Sequence, residues 1–377
     1  VRATSKKKGE EEVNLAYLTD GLKSEREQGI TIDVAYRYFN TANRKFIISD
    51  TPGHVQYTRN MITGASKSNV AIILVDARKG ISEQTRRHSF IASLLKIPHV
   101  IYAVNKMDLI DYDQAKFEKI RDGLKQFSAK LRCNDIRFIP ISALKGDNVT
   151  TKSQKTKWYK GGHLLQMLEN IEIFSDNNLV DARFDIQTVI RPHSDKWHDF
   201  RGYAGKILSG RFEVGHRVQV LPSGFETRIK DMRIYKDELT EACTPASIVM
   251  QLEDDIDAGR GDMIARVDNL PKSSQNFDAM ICWMSEDLML PRKKYLLKHG
   301  SNEVTCLVTK KVYTLDVNTF SKADDQSLKV GLNDIARISI KTSKPINFDE
   351  FESNRANGSF ILIDTQTNET IAAGMIK

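Results

Sequence analysis

Residues 46–54 read Phe-Ile-Ile-Ser-Asp-Thr-Pro-Gly-His, a short apolar run that breaks into an aspartate, a proline and a glycine. Phe46-Ile47-Ile48 fits a buried strand, and Asp50-Thr51-Pro52-Gly53-His54 is the loop that leaves its carboxyl end. The same construction recurs twice downstream. Val100 to Val104 runs into Asn105-Lys106-Met107-Asp108, and Phe138 to Ile141 runs into Ser142-Ala143-Leu144-Lys145. A further apolar run spans Val70 to Val75. Helical stretches at Tyr57 to Ala65, Glu83 to Lys96 and Gln114 to Lys130 separate these runs. Short continuous apolar runs suit strands buried on both faces of a parallel sheet. The alternation predicts a doubly wound, mostly parallel α/β domain whose ligand sits at the carboxyl ends of the strands. All three loops fall there. A last helix near Leu164 to Ile171 closes this domain near residue 178.

From Phe184 the texture changes. Alternating strands such as Arg217-Val218-Gln219-Val220-Leu221 are divided by turns such as Pro222-Ser223-Gly224, and Gly202, Gly205, Gly210 and Gly215 punctuate the segment. This pattern predicts a small antiparallel barrel. Pro271-Lys272-Ser273-Ser274 reads as a polar linker to a second β-rich unit, with strands near Ala279 to Met284, Leu332 to Ile340 and Ser359 to Asp364. The expected domains are 1–178, 182–270 and 275–377.

Apolar residues make up 40% of the 377 and charged ones 28%, as in an ordinary globular protein. No apolar run reaches the 18 residues of a membrane span, and no signal peptide is visible. Cys133, Cys243, Cys282 and Cys306 are scattered, which fits isolated thiols of a cytoplasmic protein better than a disulfide or metal framework. The net charge of +7 invites a nucleic-acid reading. The basic residues are dispersed, however, and Lys6-Lys7-Lys8 is followed at once by Glu10-Glu11-Glu12. A solvated surface is the better reading, and no nucleic-acid partner is expected.

The loops carry the chemistry. Asp50, at a strand end, can hold Mg²⁺ through a water, and Gly53 lets its backbone N–H approach a γ-phosphate. His54 can then orient an attacking water. The Asp108 carboxylate matches the two donors of guanine, N1–H and the 2-amino group, both of which adenine lacks. Asn105 would brace neighbouring loops, the Lys106 stem would cover a purine face, and the N–H groups of Ser142-Ala143 would meet guanine O6. Upstream, Thr31 in Arg26-Glu27-Gln28-Gly29-Ile30-Thr31-Ile32 can place its hydroxyl near Mg²⁺ and order that loop only while GTP is intact. The ligands expected are GTP and Mg²⁺.

One part is missing. The phosphate loop GxxxxGK[ST] should precede all of these boxes and occurs nowhere in the chain. The first residue is Val rather than Met, so the sequence is expected to begin inside a longer protein, after that loop. Gly146-Asp147-Asn148-Val149-Thr150-Thr151-Lys152-Ser153 nearly matches the loop but carries Thr151 where a glycine is needed, and is rejected.

Taken together, these boxes resemble the translation-factor superfamily of GTPases. Within it, Tyr57 to Met61, Asp76-Ala77-Arg78-Lys79-Gly80, Gln84-Thr85-Arg86-Arg87-His88, Ser353-Asn354-Arg355, Gly358 to Asp364 and Ala372 to Ile376 look like the large subunits of bacterial sulfate adenylyltransferases. The resemblance covers nearly the whole chain. It implies a P-loop-type GTPase domain followed by two antiparallel β-barrels. It also implies a heterodimer or higher assembly with a smaller ATP-using subunit, in which GTP hydrolysis drives formation of adenylyl sulfate and diphosphate from ATP and sulfate. Some relatives add a C-terminal adenylylsulfate kinase, an activity not expected of a chain that stops at Lys377.

The alternative on the same scaffold is an elongation factor that delivers aminoacyl-tRNA, and a third reading is a degenerate scaffold that no longer hydrolyses GTP. Arg86, Arg87 and His88 could touch a partner or form a solvated basic face. His193, His198 and His216 lack a metal-binding spacing. Trp158-Tyr159 reads as a hydrophobic plug and Trp283 as barrel core.

Overall fold

The computed structural model describes residues 31–377 except 55–56, 132, 134, 193–199, 291, 317–320 and 324–328. Residues 26–30, ahead of Thr31, and both His193 and His198 therefore lie outside the described residues. The chain forms two compact units, one ending at Ile173 and the other holding Phe174–Asp316 and Phe320–Lys377.

In the first unit, β1 (Ala35–Asn40) and β2 (Lys45–Asp50) form an antiparallel hairpin. Its hand-over is stabilised by Phe39 stacked on Phe46 at 4.7 Å between ring centroids. A separate three-stranded parallel sheet contains β3 (Val70–Asp76), β4 (His99–Asn105) and β5 (Asp135–Pro140). The helices among the described residues are α1 (Thr58–Ala65), α2 (Glu83–Leu94), α3 (Gln114–Ser128) and α4 (Leu164–Asn170). Their starts follow local chemistry. Ser82 caps α2 in a reciprocal capping box with Thr85, and the Asp113 carboxylate accepts from the Lys116 N–H at 3.0 Å.

The α/β class is as expected from the alternation, but the burial is uneven. Val100 to Val104 of β4 are buried on both faces, as a central parallel strand should be. On β3, Ile73 and Val75 are buried while Ile72 and Leu74, on the opposite face, are 42% and 60% exposed. Among the described residues no strand pairs with the edge of β3 away from β4. Ile47 and Ile48 of β2 are likewise exposed. The expectation that every run is buried on both faces holds for β4 and fails for β2 and β3.

The second unit contains two closed six-stranded antiparallel rings. The first joins β6 (Arg183–Ile190), β7 (Gly202–Ser209), β8 (Arg217–Leu221), β9 (Phe225–Ile234), β10 (Ser247–Leu252) and β11 (Met263–Arg266) in the order β9-β10-β7-β6-β11-β8 and back to β9. The second joins β12 (Lys272–Trp283), β13 (Lys294–His299), β14 (Asn302–Leu315), β15 (Ile335–Phe348), β16 (Ser359–Asp364) and β17 (Thr370–Ile376) as β13-β16-β17-β12-β15-β14 and back to β13. Alternate residues fill each interior, for instance Val218 and Val220 in one and Ala279, Ile281 and Trp283 in the other.

One expectation fails here. Pro271-Lys272-Ser273-Ser274 is no linker, because Lys272, Ser273 and Ser274 already pair with Phe348, Asn347 and Ile346. Their polarity reflects an exposed strand end. The two rings are further joined by a buried ion pair: Arg183, only 1% exposed, meets Asp349 at 2.9 Å through both Nε and Nη2. Asn354 and Asn357 each donate to the same carboxylate.

Candidate functional site

Parallel pairing in register brings the ends of β3 and β4 level. Asp76 lies opposite Asn105, and the Ala77 N–H donates to the Asn105 carbonyl at 2.9 Å. Immediately after β4 the backbone turns through the left-handed region at Lys106 (φ 65°). This turn buries Met107 completely and starts a 3₁₀ turn at Met107–Ile110. Asp108 is left half-buried at the surface, and among the described residues its carboxylate has no hydrogen bond or ion pair. A carboxylate that the protein leaves unused beside a braced loop suits a ligand with paired donors.

Asn105 supplies the bracing. Its Oδ1 accepts from the Lys106 N–H at 2.7 Å and from the Ala143 N–H at 2.9 Å, tying the loop after β4 to the loop after β5. The bracing role read for Asn105 is thus visible as two bonds. The Ala143 N–H offered to guanine O6 by the sequence is therefore already engaged, and the next N–H along the loop is that of Leu144. Ser142 is buried and its Oγ accepts from the Lys145 N–H at 3.2 Å.

Lys106 is held by a partner that the sequence did not single out. Its Nζ donates to Asp76 Oδ2 at 3.0 Å, and Arg78 grips the same carboxylate through Nε at 3.0 Å and Nη2 at 2.7 Å. The Arg78 hydrogen bond is the largest effect on the Asp76 carboxyl; burial opposes it, and the Lys106 hydrogen bond adds to the lowering, so the group lies well below the usual carboxylate range. The signal for this clamp was present in the motif Asp76-Ala77-Arg78, but its target lies 30 residues away.

The rejected stretch after Ser142 is closed on itself. Asp147 accepts from Ser153 Oγ at 2.6 Å, from Lys155 Nζ at 3.3 Å and from the Tyr112 hydroxyl. The Asn148 side chain donates to the Pro140 carbonyl and accepts from the Ser153 N–H, each at 2.8 Å. The element directly after it is the short 3₁₀ turn Gln154–Thr156. Its Val149 N–H donates to the Gly146 carbonyl and its Ser153 N–H to Asn148, which suits a staple for the base-side loop.

On the hairpin side, β2 ends at Asp50, Pro52 is buried, and Gly53 and His54 are exposed. α1 packs on this turn so closely that a Cβ at Gly64 would stand 2.5 Å from both Ser49 Oγ and Thr51 Cγ2. Asn60 Nδ2, on the same helix, donates to the Ile32 carbonyl at 2.7 Å, so the residue after Thr31 is tied to the helix that follows the Asp50–His54 box. No spacing in the chain pointed to that role for Asn60.

Among the described residues no three His, Cys, Asp or Glu side chains cluster as a metal cage. Mg²⁺ does not need one: it keeps several waters and takes one or two protein oxygens beside the phosphates. The Asp50 carboxylate and the Thr31 hydroxyl would be those oxygens, and one acid with one hydroxyl fits such an ion. When bound, the ion supplies neutralisation of the charge on the β- and γ-phosphate oxygens. The plug at Trp158-Tyr159 packs on Phe117, with Trp158 Nε1 donating to the Tyr112 carbonyl at 3.2 Å.

The elongation factor Tu GTP binding domain family matches residues 1–185, and the GTP-eEF1A C-terminal domain-like family matches residues 276–377. The bifunctional enzyme CysN/CysC of Mycobacterium tuberculosis is 52% identical over 377 residues, which cover all of this chain and 61% of that protein. Sulfate adenylyltransferase subunit 1 of Alteromonas mediterranea is 50% identical over 366 residues, which cover 97% of this chain and 76% of that one. The crystal structure of sup35 complexed with GDP aligns over 90% of this chain and 83% of its own, with 21% identity and a TM-score of 0.49. The chain thus spans between about three fifths and three quarters of the length of these curated relatives. At half identity along nearly its whole length, the chain belongs to the sulfate adenylyltransferase subunit 1 family, with a GTP-binding domain of the elongation factor Tu type.

Proposed function

We propose that the protein is the GTPase subunit of a sulfate adenylyltransferase. In this reading its GTP hydrolysis drives adenylylation of sulfate by ATP, giving adenylyl sulfate and diphosphate on a smaller, ATP-using subunit in the cytoplasm. The observation that carries the GTPase part is the geometry after β4, where Asn105 locks two loops together and Asp108 keeps an unused carboxylate beside them. Guanine satisfies that carboxylate with two N–H donors; adenine would leave it unpaired. The name subunit 1, carried by the Alteromonas mediterranea relative, supports a second subunit.

The residues have separate roles in this proposal. Asp108 selects the base, Lys106 covers it while clamped by Asp76, and the Ser142-Ala143-Leu144 loop closes its O6 edge. Asp50, Thr51, Pro52 and Gly53 carry the strand end to the γ-phosphate. His54 orients the water that attacks phosphorus in line with the departing GDP oxygen. Thr31 closes over the phosphates and relaxes when the γ-phosphate leaves, which makes the hydrolysed state distinguishable to a partner.

The test is hydrolysis against binding in a chain that carries a phosphate loop. His54→Ala is expected to lower kcat by about a hundredfold or more while GTP affinity changes little, as for other water-positioning groups. Equal turnover in the variant would assign the water to another residue. Co-purification with a small adenylyltransferase subunit and GTP-stimulated adenylyl sulfate synthesis are expected; retention of tRNA in their place would favour the elongation-factor alternative.

A further inference from the structure

Asp108 lies in a short stretch bracketed by left-handed backbone. Lys106 precedes it (φ 65°), and Asp111 (φ 53°) and Tyr112 (φ 54°) follow the 3₁₀ turn Met107–Ile110. None of the three is a glycine, and a side chain as bulky as that of Tyr112 rarely adopts this conformation. Such a residue persists where its surroundings over-determine it. At the upstream end Asn105 Oδ1 holds the Lys106 N–H. At the downstream end the fixing comes through Tyr112.

Tyr112 is held by each of its polar groups. Its N–H donates to the Met107 carbonyl at 2.9 Å, its carbonyl accepts from Trp158 Nε1 at 3.2 Å, and its hydroxyl donates to the Asp147 carboxylate. Lys155 Nζ lies 5.0 Å from the ring centroid and 3.3 Å from both the hydroxyl oxygen and Asp147 Oδ2. Asp147 in turn holds the other loop. Its backbone carbonyl accepts the Ser142 N–H at 3.2 Å, and its carboxylate accepts from Ser153 Oγ at 2.6 Å. A hydrogen bond to an ionised acceptor is the stronger kind, which suits a strut between two loops.

We propose that Tyr112 and Asp147 are positioning residues for recognition of the base: the Tyr112 hydroxyl on the Asp147 carboxylate bolts the downstream end of the Asp108 turn to the Ser142 loop, as Asn105 bolts its upstream end. A carboxylate that takes two parallel N–H donors needs a set plane as well as a set place. With one bolt removed the turn can tilt, and Asp108 then meets N1–H and the 2-amino group of a guanine less well together. The property that this strut sets is how strongly the 2-amino group is read.

This inference rests on the base-selecting reading of Asp108, and the experiment separates the two. Inosine triphosphate is GTP without the 2-amino group, so the ratio of the two affinities isolates the second hydrogen bond. Both nucleotides are titrated into the phosphate-loop-bearing chain and its variants, with thermal melting alongside. The parent is expected to prefer GTP by about tenfold or more, as one hydrogen bond to a charged acceptor provides. Tyr112→Phe keeps the ring that packs beside Met107 and Phe117 and removes only the hydroxyl. It is expected to bring the preference down to about threefold or less, with an almost unchanged melting temperature. Asp147→Ala is expected to lower the preference likewise, and adding Tyr112→Phe to it should lower it no further, since both remove the same strut. A parent-like preference in Tyr112→Phe overturns the proposal. So do equal weakening of both nucleotides, which marks a merely structural role, and additive losses in the double variant. If Asp108→Asn loses the preference while Tyr112→Phe keeps it, the inference fails alone; if Asp108→Asn keeps it, the Asp108 reading fails and takes the inference with it. Should Asp147→Ala not fold, Tyr112→Phe decides by its ratio alone.

Discussion

Asp108 is the residue on which choice of base would turn, because its carboxylate faces no protein donor among the described residues while the loops around it are fixed through Asn105. Replacing it by asparagine exchanges one acceptor oxygen for an N–H₂ group, which repels the guanine amino group and suits a 2-oxo group. Asp108→Asn is expected to weaken GTP by about a hundredfold or more and to favour xanthosine triphosphate, since a buried polar mismatch discriminates far better than a missing methylene. Competition binding with the two nucleotides checks this, and unchanged GTP affinity would remove Asp108 from the site. Residues of this kind were legible because their chemistry is local: each box needs a few side chains at fixed spacing after a strand. Asp76 and Asn60 were not legible in these roles. Their partners, Lys106 and the Ile32 carbonyl, are brought to them by the fold and not by spacing.

At the scale of elements, the contact between α1 and β2 sets the height of the Asp50–His54 turn. In an open helix position, glycine to alanine stabilises by about 1 kcal/mol, from backbone entropy. At Gly64 the new methyl would stand 2.5 Å from Ser49 Oγ and Thr51 Cγ2 and 3.2 Å from Val34 Cγ1. Overpacking of that kind costs about 1–3 kcal/mol, so the steric cost outweighs the gain in propensity. Gly64→Ala is therefore expected to lower the melting temperature by a few degrees, and also to slow hydrolysis, because Thr51 belongs to the turn itself. A raised melting temperature would show that α1 can lift away from β2 without cost. The helices and the central strand β4 were readable because their apolar periodicity is strong. The hairpin partner β1 was not assigned as a strand: Ala35-Tyr36-Arg37-Tyr38-Phe39-Asn40 alternates weakly, and its pairing with β2 is what fixes it. The polar start of β12 misled for the converse reason, since a strand end with exposed side chains looks like a linker until its partner Ile346 to Phe348 is known.

For the whole molecule, the informative asymmetry among the described residues is between the barrels and the sheet of the first unit. Both barrels are closed rings with filled interiors, joined through Arg183 and Asp349. The sheet of the first unit instead has a β3 edge that no described strand pairs, exposed Ile72 and Leu74 on one face of that strand, and Ile47 and Ile48 exposed on the hairpin. In a doubly wound domain the turn between a strand and the helix after it is where phosphates bind, through backbone N–H groups and a lysine at a helix N-terminus. No GxxxxGK[ST] loop occurs in the 377 residues, and the near-match Gly146 to Ser153 is bonded to itself. Among the described residues there are candidate groups for the base and for Mg²⁺ but none assigned to most of the triphosphate charge. Residues 1–377 alone are therefore expected to bind GTP very weakly, whereas a chain that carries a phosphate loop should bind GTP tightly and hydrolyse it. Isothermal titration of both chains decides the matter. Micromolar binding by the 377-residue chain would mean that groups already in this chain hold the phosphates, and substitutions of Lys152 and Ser153 would be the first to show which.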